Sequence, residues 1–244
     1  MEINKDYTSV IIASYIPNEM RAHMFRRSLD SLLKTTAHLP VEIIVTDNGG
    51  SEYADGKVNT YIKNRENMHF GFARNQAVAC AKGNYICMAD NDIEYLPGWL
   101  DQCLEVFKQY PEEKYWATPI QYVESMADRY SAGTLEVGDK TYRKNYRAGS
   151  NCLVMKADDF RANGEFICHR IAGSHWNDTC ARNGYMGIVT PVDMVKDLGL
   201  RLGYNLKESI PIKRTLTDGS EVYFNEDEYR KKNPDKQYYD HKRR

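Results

Sequence analysis

Two carboxylates one residue apart, Asp90 and Asp92, close the short apolar run Asn84–Ala89. If the extended conformation of that run persists, alternate side chains share a face, and the pair makes a hard oxygen site suited to Mg2+ or Mn2+. Such an ion needs more anionic ligands than two carboxylates. A nucleotide diphosphate supplies them, and the ion in turn neutralises the charge that builds on a departing diphosphate. Asp90-Asn91-Asp92 is also a common turn composition, so on its own the triplet leaves both readings open.

The elements around the triplet decide where it would lie. Ser9–Ser14 and Val41–Thr46 are β-branched apolar runs that read as buried strands, the second ending at Asp47-Asn48-Gly49-Gly50. Between them Met24, Phe25, Ser28, Leu29, Leu32 and Leu33 recur at helical spacing, giving a crossover long enough for a parallel pair. The pattern repeats with a helix over Phe72–Ala81, the strand Asn84–Ala89, and a helix opened by Pro97-Gly98-Trp99-Leu100 that runs to about Gln109. This alternation predicts an α/β fold with an open, mostly parallel central sheet flanked by helices, in which ligands sit beyond the carboxyl ends of the strands. Asp47 and Asp90–Asp92 occupy two such ends.

The remaining chain is less regular. Gln121–Arg147 is polar, with Gly133 and Gly138, and reads as a loop or hairpin region laid over the sheet. Cys152–Met155 is a further strand, His175–Asn183 a short helix with Asp178 near its first turn, and Met186–Thr190 the strand after it. Past Pro191 periodicity fades. Five acids between Asp218 and Glu228 are followed by seven Lys or Arg against two Asp from Tyr229 to Arg244, which reads as a solvated extension.

Composition narrows the class. The 244 residues are 42% hydrophobic, and 33 basic against 34 acidic side chains leave a net charge of −1, so a charged partner must be met by a local patch. No apolar run is long enough to span a bilayer, and the polar start lacks a secretory pattern; the expectation is a cytoplasmic protein, at most peripheral to a membrane. Six cysteines without a Cys-x-x-Cys pair read as reduced thiols. Cys168, His169, His175 and Cys180 have zinc-binding types at a spacing that fits no zinc motif.

Four segments in order, Ser9–Tyr15, Val45–Ser51, Asn67–Asn75 and Gly83–Asp92, resemble the family 2 glycosyltransferases, and the resemblance extends over roughly Ser9 to Gly199. It implies the A-type nucleotide-sugar glycosyltransferase fold. It also implies a glycosyltransferase domain over 1–205, with a nucleotide-binding half to about 120 and an acceptor half from 121, then an extension over 206–244. Carried over residue by residue, it implies that Ala13, Ser14 and Tyr15 form the nucleobase-side loop and that Asp47 accepts a hydrogen bond from the base, favouring a uracil imide. Arg74 would lie near the base or diphosphate, Asp90 by the ribose, and Asp92, with Asp90, on a Mn2+ or Mg2+ ion.

In the second half, Ala148–Met155 resembles the small-residue turn and strand beneath the donor sugar. His175–Tyr185 resembles the helix bearing the catalytic acid, which gives Asp178 the role of general base in an inverting transfer. Trp176 would stack on a sugar or pack in the core, and Asn177 and Arg182 would stand near donor sugar or acceptor. Asn177 departs from the family's usual acid, and no His stands in Pro191–Gly199, so Asp193 or Asp197 could complete the metal shell or Lys196 could face the diphosphate.

A nucleotidyltransferase is disfavoured because Ser14–Met20 holds neither Gly nor Lys, and a non-catalytic nucleotide-sugar or glycan-binding module is the other alternative. The implied donor is a nucleotide sugar. The acceptor is a glycan or lipid-linked saccharide, or a modified base in DNA met through the basic tail.

Overall fold

The computed structural model describes residues 6–50, 52–119, 130–147, 151–167, 172–198, 212–215 and 221–224. The chain divides into two compact units, Met1–Gly199 and Leu200–Arg244. In the second unit the described residues form a hairpin, β12 (Ile212–Thr215) against β13 (Glu221–Phe224). The basic run at 229–244 lies outside the described residues.

The first unit is built on a nine-stranded sheet. Its parallel part comprises β1 (Thr8–Ser14), β2 (Val41–Asp47), β3 (Thr60–Lys63) and β4 (Tyr85–Ala89), in the order β3-β2-β1-β4. Beyond β4 run β9 (Cys152–Lys156), β6 (Tyr115–Thr118), β10 (Met186–Val189), β8 (Lys140–Asn145) and β7 (Ser131–Val137). There β6 and β10 are parallel, whereas β9 is antiparallel to both neighbours and the β7–β8 hairpin is antiparallel to itself and to β10. A small second sheet pairs β5 (Ile93–Tyr95) with β11 (Val195–Asp197).

Side-chain alternation along β1 sets the two layers. Val10 and Ile12 face α1 (Glu19–Thr36) and α3 (Trp99–Gln109), packing with Phe25, Leu29, Leu32, Trp99 and Phe107. Ile11 faces the other layer, formed by α2 (Phe70–Cys80), α4 (Ala157–Ala162) and α5 (Ala172–Arg182), where Ala77, Phe160 and Trp176 pack. Each buried large side chain contributes about 1.5–3 kcal/mol, so the three α1 anchors alone outweigh the helix's weak intrinsic stability. The start of α1 is set by Asn18, whose side chain accepts the Arg21 N–H at 3.0 Å.

Two sequence expectations change. The described part of the 121–147 region is not laid over the sheet: Ser131–Asn145 is a hairpin that forms its edge, with Leu135, Val137 and Tyr142 buried between exposed neighbours. Residues 120–129 fall outside the described residues. The turn reading of Asp90-Asn91-Asp92 holds, since β4 ends at Ala89 and the chain turns into β5. Asp178 is not in a first turn, because α5 starts at Ala172 and places it near the middle.

At the opposite end of the parallel strands, buried Glu42 accepts from Ser9 Oγ and from Lys82 N–H at 2.6 Å, and the Gly83 N–H donates to Ser9 Oγ at 2.8 Å. A Cβ on Gly83 would lie 2.5 Å from the Ser9 backbone nitrogen and 2.8 Å from the Tyr7 carbonyl. Gly83→Ala is therefore expected to destabilise the protein by about 1–3 kcal/mol, read as a lowered urea midpoint at unchanged slope.

Candidate active site

Strand register assembles the site. Ser14 lies opposite Asp47 at the shared end of β1 and β2, and β4 ends beside them, so that Asn91 Nδ2 donates to Ser14 Oγ at 3.2 Å. The loops beyond are tied together: Asn48 N–H donates to the Ser14 carbonyl at 2.7 Å and Ile16 N–H to the Gly49 carbonyl at 2.9 Å. Gly50 is required there, at φ 80° with the position of a Cβ only 2.6 Å from the Ile16 carbonyl. Ala13 is half-buried and Ser14 buried, while Tyr15 is exposed, its ring against Gly49.

Asp47 is fully buried. Its Oδ1 accepts the Gly49 N–H at 2.7 Å and its Oδ2 the Tyr61 hydroxyl at 2.6 Å. Burial first, then that bond, pushes the Tyr61 phenol up from its ordinary value, so Tyr61 stays a donor. In this state Asp47 caps the turn that follows β2.

Each strand-end carboxylate of the triplet is met by an arginine, and the two arginines come from opposite layers. Asp90 Oδ1 pairs with Arg74 Nη2 from α2, and Asp92 Oδ2 with Arg21 Nη1 from α1 at 2.6 Å. Arg74 is not a surface helix residue: it is 5% exposed, lies between the Phe70 and Phe166 rings at 5.1 and 5.5 Å, and its Nε has no hydrogen-bond partner among the described residues. Burial pulls its guanidinium pKa down and Asp90 opposes that shift. The turn is pinned by its backbone too, since Asp90 N–H donates to the Asn151 carbonyl at 2.7 Å and the Asp92 carbonyl accepts from Leu198 N–H at 2.8 Å.

Asp178 belongs to the neighbouring elements. It pairs with Arg147, which follows β8 and lies four residues before Asn151, so the chain that pins Asp90 also carries the partner of Asp178. Both side chains are more than a third exposed. Arg182 is exposed and donates to Thr179 Oγ1 at 3.0 Å. Asn177 is buried, with its Oδ1 unpartnered among the described residues. Trp176 corrects the sugar-stacking expectation: at 1% exposure it lies within a cluster of Phe160, Phe166 and Trp116, leaving no face for a sugar.

The donor set suits a hard divalent cation completed by substrate. No group of three or more His, Cys, Asp or Glu poised for a metal occurs among the described residues, so an ion held at Asp90 and Asp92 would need further oxygen ligands from a substrate. Lys196 pairs with Glu94 at 3.7 Å across the β5–β11 ladder rather than facing the triplet. Asp193 is exposed, and Asp197 stands opposite Ile93, next to Asp92 in the ladder. Cys180 is buried, and burial raises its thiol; Cys168 and His169 lie outside the described residues. Sequence reasoning missed Arg21, Arg147 and Tyr61. The signal for Arg21 was its place one turn after the β1 loop; Arg147 and Tyr61 had none before the register was known.

The description glycosyl transferase family 2 matches residues 9–159, more than half of the chain. The chain belongs to glycosyltransferase family 2. A curated relative, an uncharacterised glycosyltransferase of Methanocaldococcus jannaschii, is 33% identical over 110 residues, which are 41% of this chain and 37% of that protein. The chain thus spans well under half of that relative's length. Two solved structures show the same fold. GalNAc-T7 with UDP, GalNAc and Mn2+ has a TM-score of 0.59 at 12% identity, over 77% of this chain and 42% of that one. The Pyrobaculum calidifontis mannosyltransferase with GDP-Man and Mn2+ has a TM-score of 0.58 at 16% identity, over 77% and 55%. This family 2 chain therefore has the A-type glycosyltransferase fold.

The two ion pairs make stability predictions of different size. Asp90→Ala leaves the buried Arg74 guanidinium uncompensated and is expected to cost about 2–3 kcal/mol in urea unfolding. Asp92→Asn leaves Arg21, which can turn into water, and is expected to cost less than about 1 kcal/mol.

Proposed function

We propose that this family 2 chain transfers a sugar from a nucleotide sugar to an acceptor hydroxyl, with inversion and with the help of Mn2+ or Mg2+. The observation that carries the reading is the register-built edge at which Ser14, Asp47 and the Asp90–Asp92 turn converge, backed by the buried Arg74. The exposed Tyr15 ring offers a face for the base. An acceptor at Asp47 suits a base whose facing edge carries an N–H, as the uracil imide does, so a uridine diphosphate sugar is the proposed donor. Asp47 is buried in this state, so receiving that base requires the Tyr61 hydroxyl to leave Oδ2 and uncover the carboxylate.

A divalent ion bound at Asp92 and Asp90 would neutralise charge on the departing diphosphate. Arg74, held by its aromatic neighbours, keeps Asp90 fixed in the turn. Asp178 is the proposed general base. It takes the proton of the acceptor hydroxyl as that oxygen attacks the anomeric carbon from the face opposite the diphosphate, and Arg147 orients its carboxylate. A carboxylate is a weak base for a hydroxyl, so positioning must supply much of the rate. The acceptor proposed is a glycan or lipid-linked saccharide; DNA met through the basic tail is the competing outcome.

No helix among the described residues is long and apolar enough to cross a membrane. We propose the donor half as residues 1–120 and the acceptor half as 121–205.

A screen of UDP- and GDP-sugars by product mass, against saccharide and DNA acceptors, tests the reading. Transfer is expected with Mn2+ and to be lost with chelator. Asp178→Asn is expected to lower kcat by about a hundredfold or more while leaving donor binding intact. Donor binding with no turnover on any acceptor would instead support a binding module.

A further inference from the structure

Asp92 already has a cationic partner in the protein itself. Arg21 stands in the first turn of α1, its backbone N–H held by Asn18, and its Nη1 lies 2.6 Å from Asp92 Oδ2. The carboxylate side chain is 16% exposed and the arginine side chain 38%, so the acid is largely withdrawn from water while its partner reaches solvent. An exposed arginine on a flexible stem can leave such a contact without disturbing the helix that carries it. Arg74 cannot, being buried between two rings.

Resting on the donor-site reading above, we propose that Arg21 is an exchangeable counter-ion of Asp92, keeping the cation site closed until a diphosphate arrives and then turning onto that diphosphate. Charge balance supports the exchange. Asp90, Asp92, Arg21 and Arg74 sum to zero, and so do a dipositive ion and a nucleotide sugar carrying one negative charge on each phosphate. Ion and donor entering together leave no charge unmatched, the ion on Asp92 and the arginine on phosphate. An ion alone must expel Arg21 and leave a guanidinium beside a dication. A donor alone finds Arg21 engaged. The two ligands must then strengthen each other's binding, reciprocally. When the bond to the sugar breaks, the leaving diphosphate gains a further negative charge, and Arg21 is placed to receive it with charge-assisted hydrogen bonds.

The full chain can be titrated with Mn2+ alone, followed by paramagnetic resonance, as wild type, Arg21→Gln, Arg21→Lys and Asp92→Asn; retention of UDP in dialysis is then measured with and without Mn2+. In the wild type, Mn2+ is expected to bind weakly alone and to tighten UDP by about 5- to 150-fold. Arg21→Gln is expected to tighten Mn2+ alone by about tenfold and to shrink the effect on UDP, with Arg21→Lys between. Asp92→Asn is expected to abolish the Mn2+ site. Equal affinity of wild type and Arg21→Gln for Mn2+ alone, with the UDP effect intact in both, overturns the exchange and leaves the donor reading standing. Failure of the wild type to retain UDP with Mn2+ overturns both.

Discussion

Carboxylates set close together repel unless each is compensated, and for three of those in the proposed mechanism arginine does it. Asp90, Asp92 and Asp178 each pair with an arginine drawn from a different element: Arg74 of α2, Arg21 of α1 and Arg147 beyond β8. The pairs differ in burial, and burial determines what each can do. In the first pair the cation is the buried partner: Arg74 is packed against aromatic rings while Asp90 reaches solvent, so the arginine cannot leave and the turn after β4 is fixed. In the other two the arginine itself reaches solvent, where an ion pair contributes little stability and can be exchanged for a ligand.

The sheet is what brings these groups together. Parallel pairing of β1 with β2 and β4 puts the ends of three strands side by side, and the antiparallel β9 returns the chain so that Asn151 holds Asp90 from the next strand. The aromatic cluster around Trp176 anchors α5 beneath that second half. Strand ends and a helix therefore position the residues of the proposed mechanism, with the Asp90–Asp92 turn pinned through its backbone, which suits chemistry that depends on positioning.

Much of this was legible in the amino acids. Uninterrupted β-branched runs such as Val10–Ile12 and Ile43–Val45 read as strands buried on both faces, and the acids that follow the second run and Asn84–Ala89, Asp47 and Asp90–Asp92, point to the functional edge. Short elements escaped because their signal is weak: β5 and β11 have three residues each, and the β7–β8 hairpin exposes one face, so its polar positions hide Leu135, Val137 and Tyr142. Trp176 shows the limit from the other side. An indole beside a candidate acid reads equally as ligand or core, and only packing against Phe160, Phe166 and Trp116 distinguishes them. Long-range pairs such as Arg21–Asp92, 71 residues apart, carry no local pattern at all.

The central claim is that the edge formed by the ends of β1, β2 and β4 receives a nucleotide diphosphate through a divalent ion at Asp92. Anomalous diffraction at the manganese edge from crystals grown with UDP and Mn2+ tests it most directly. The account requires a manganese peak bridging the Asp92 carboxylate and the diphosphate, with the base against Tyr15. Nucleotide seated elsewhere, or manganese away from Asp92, would contradict it.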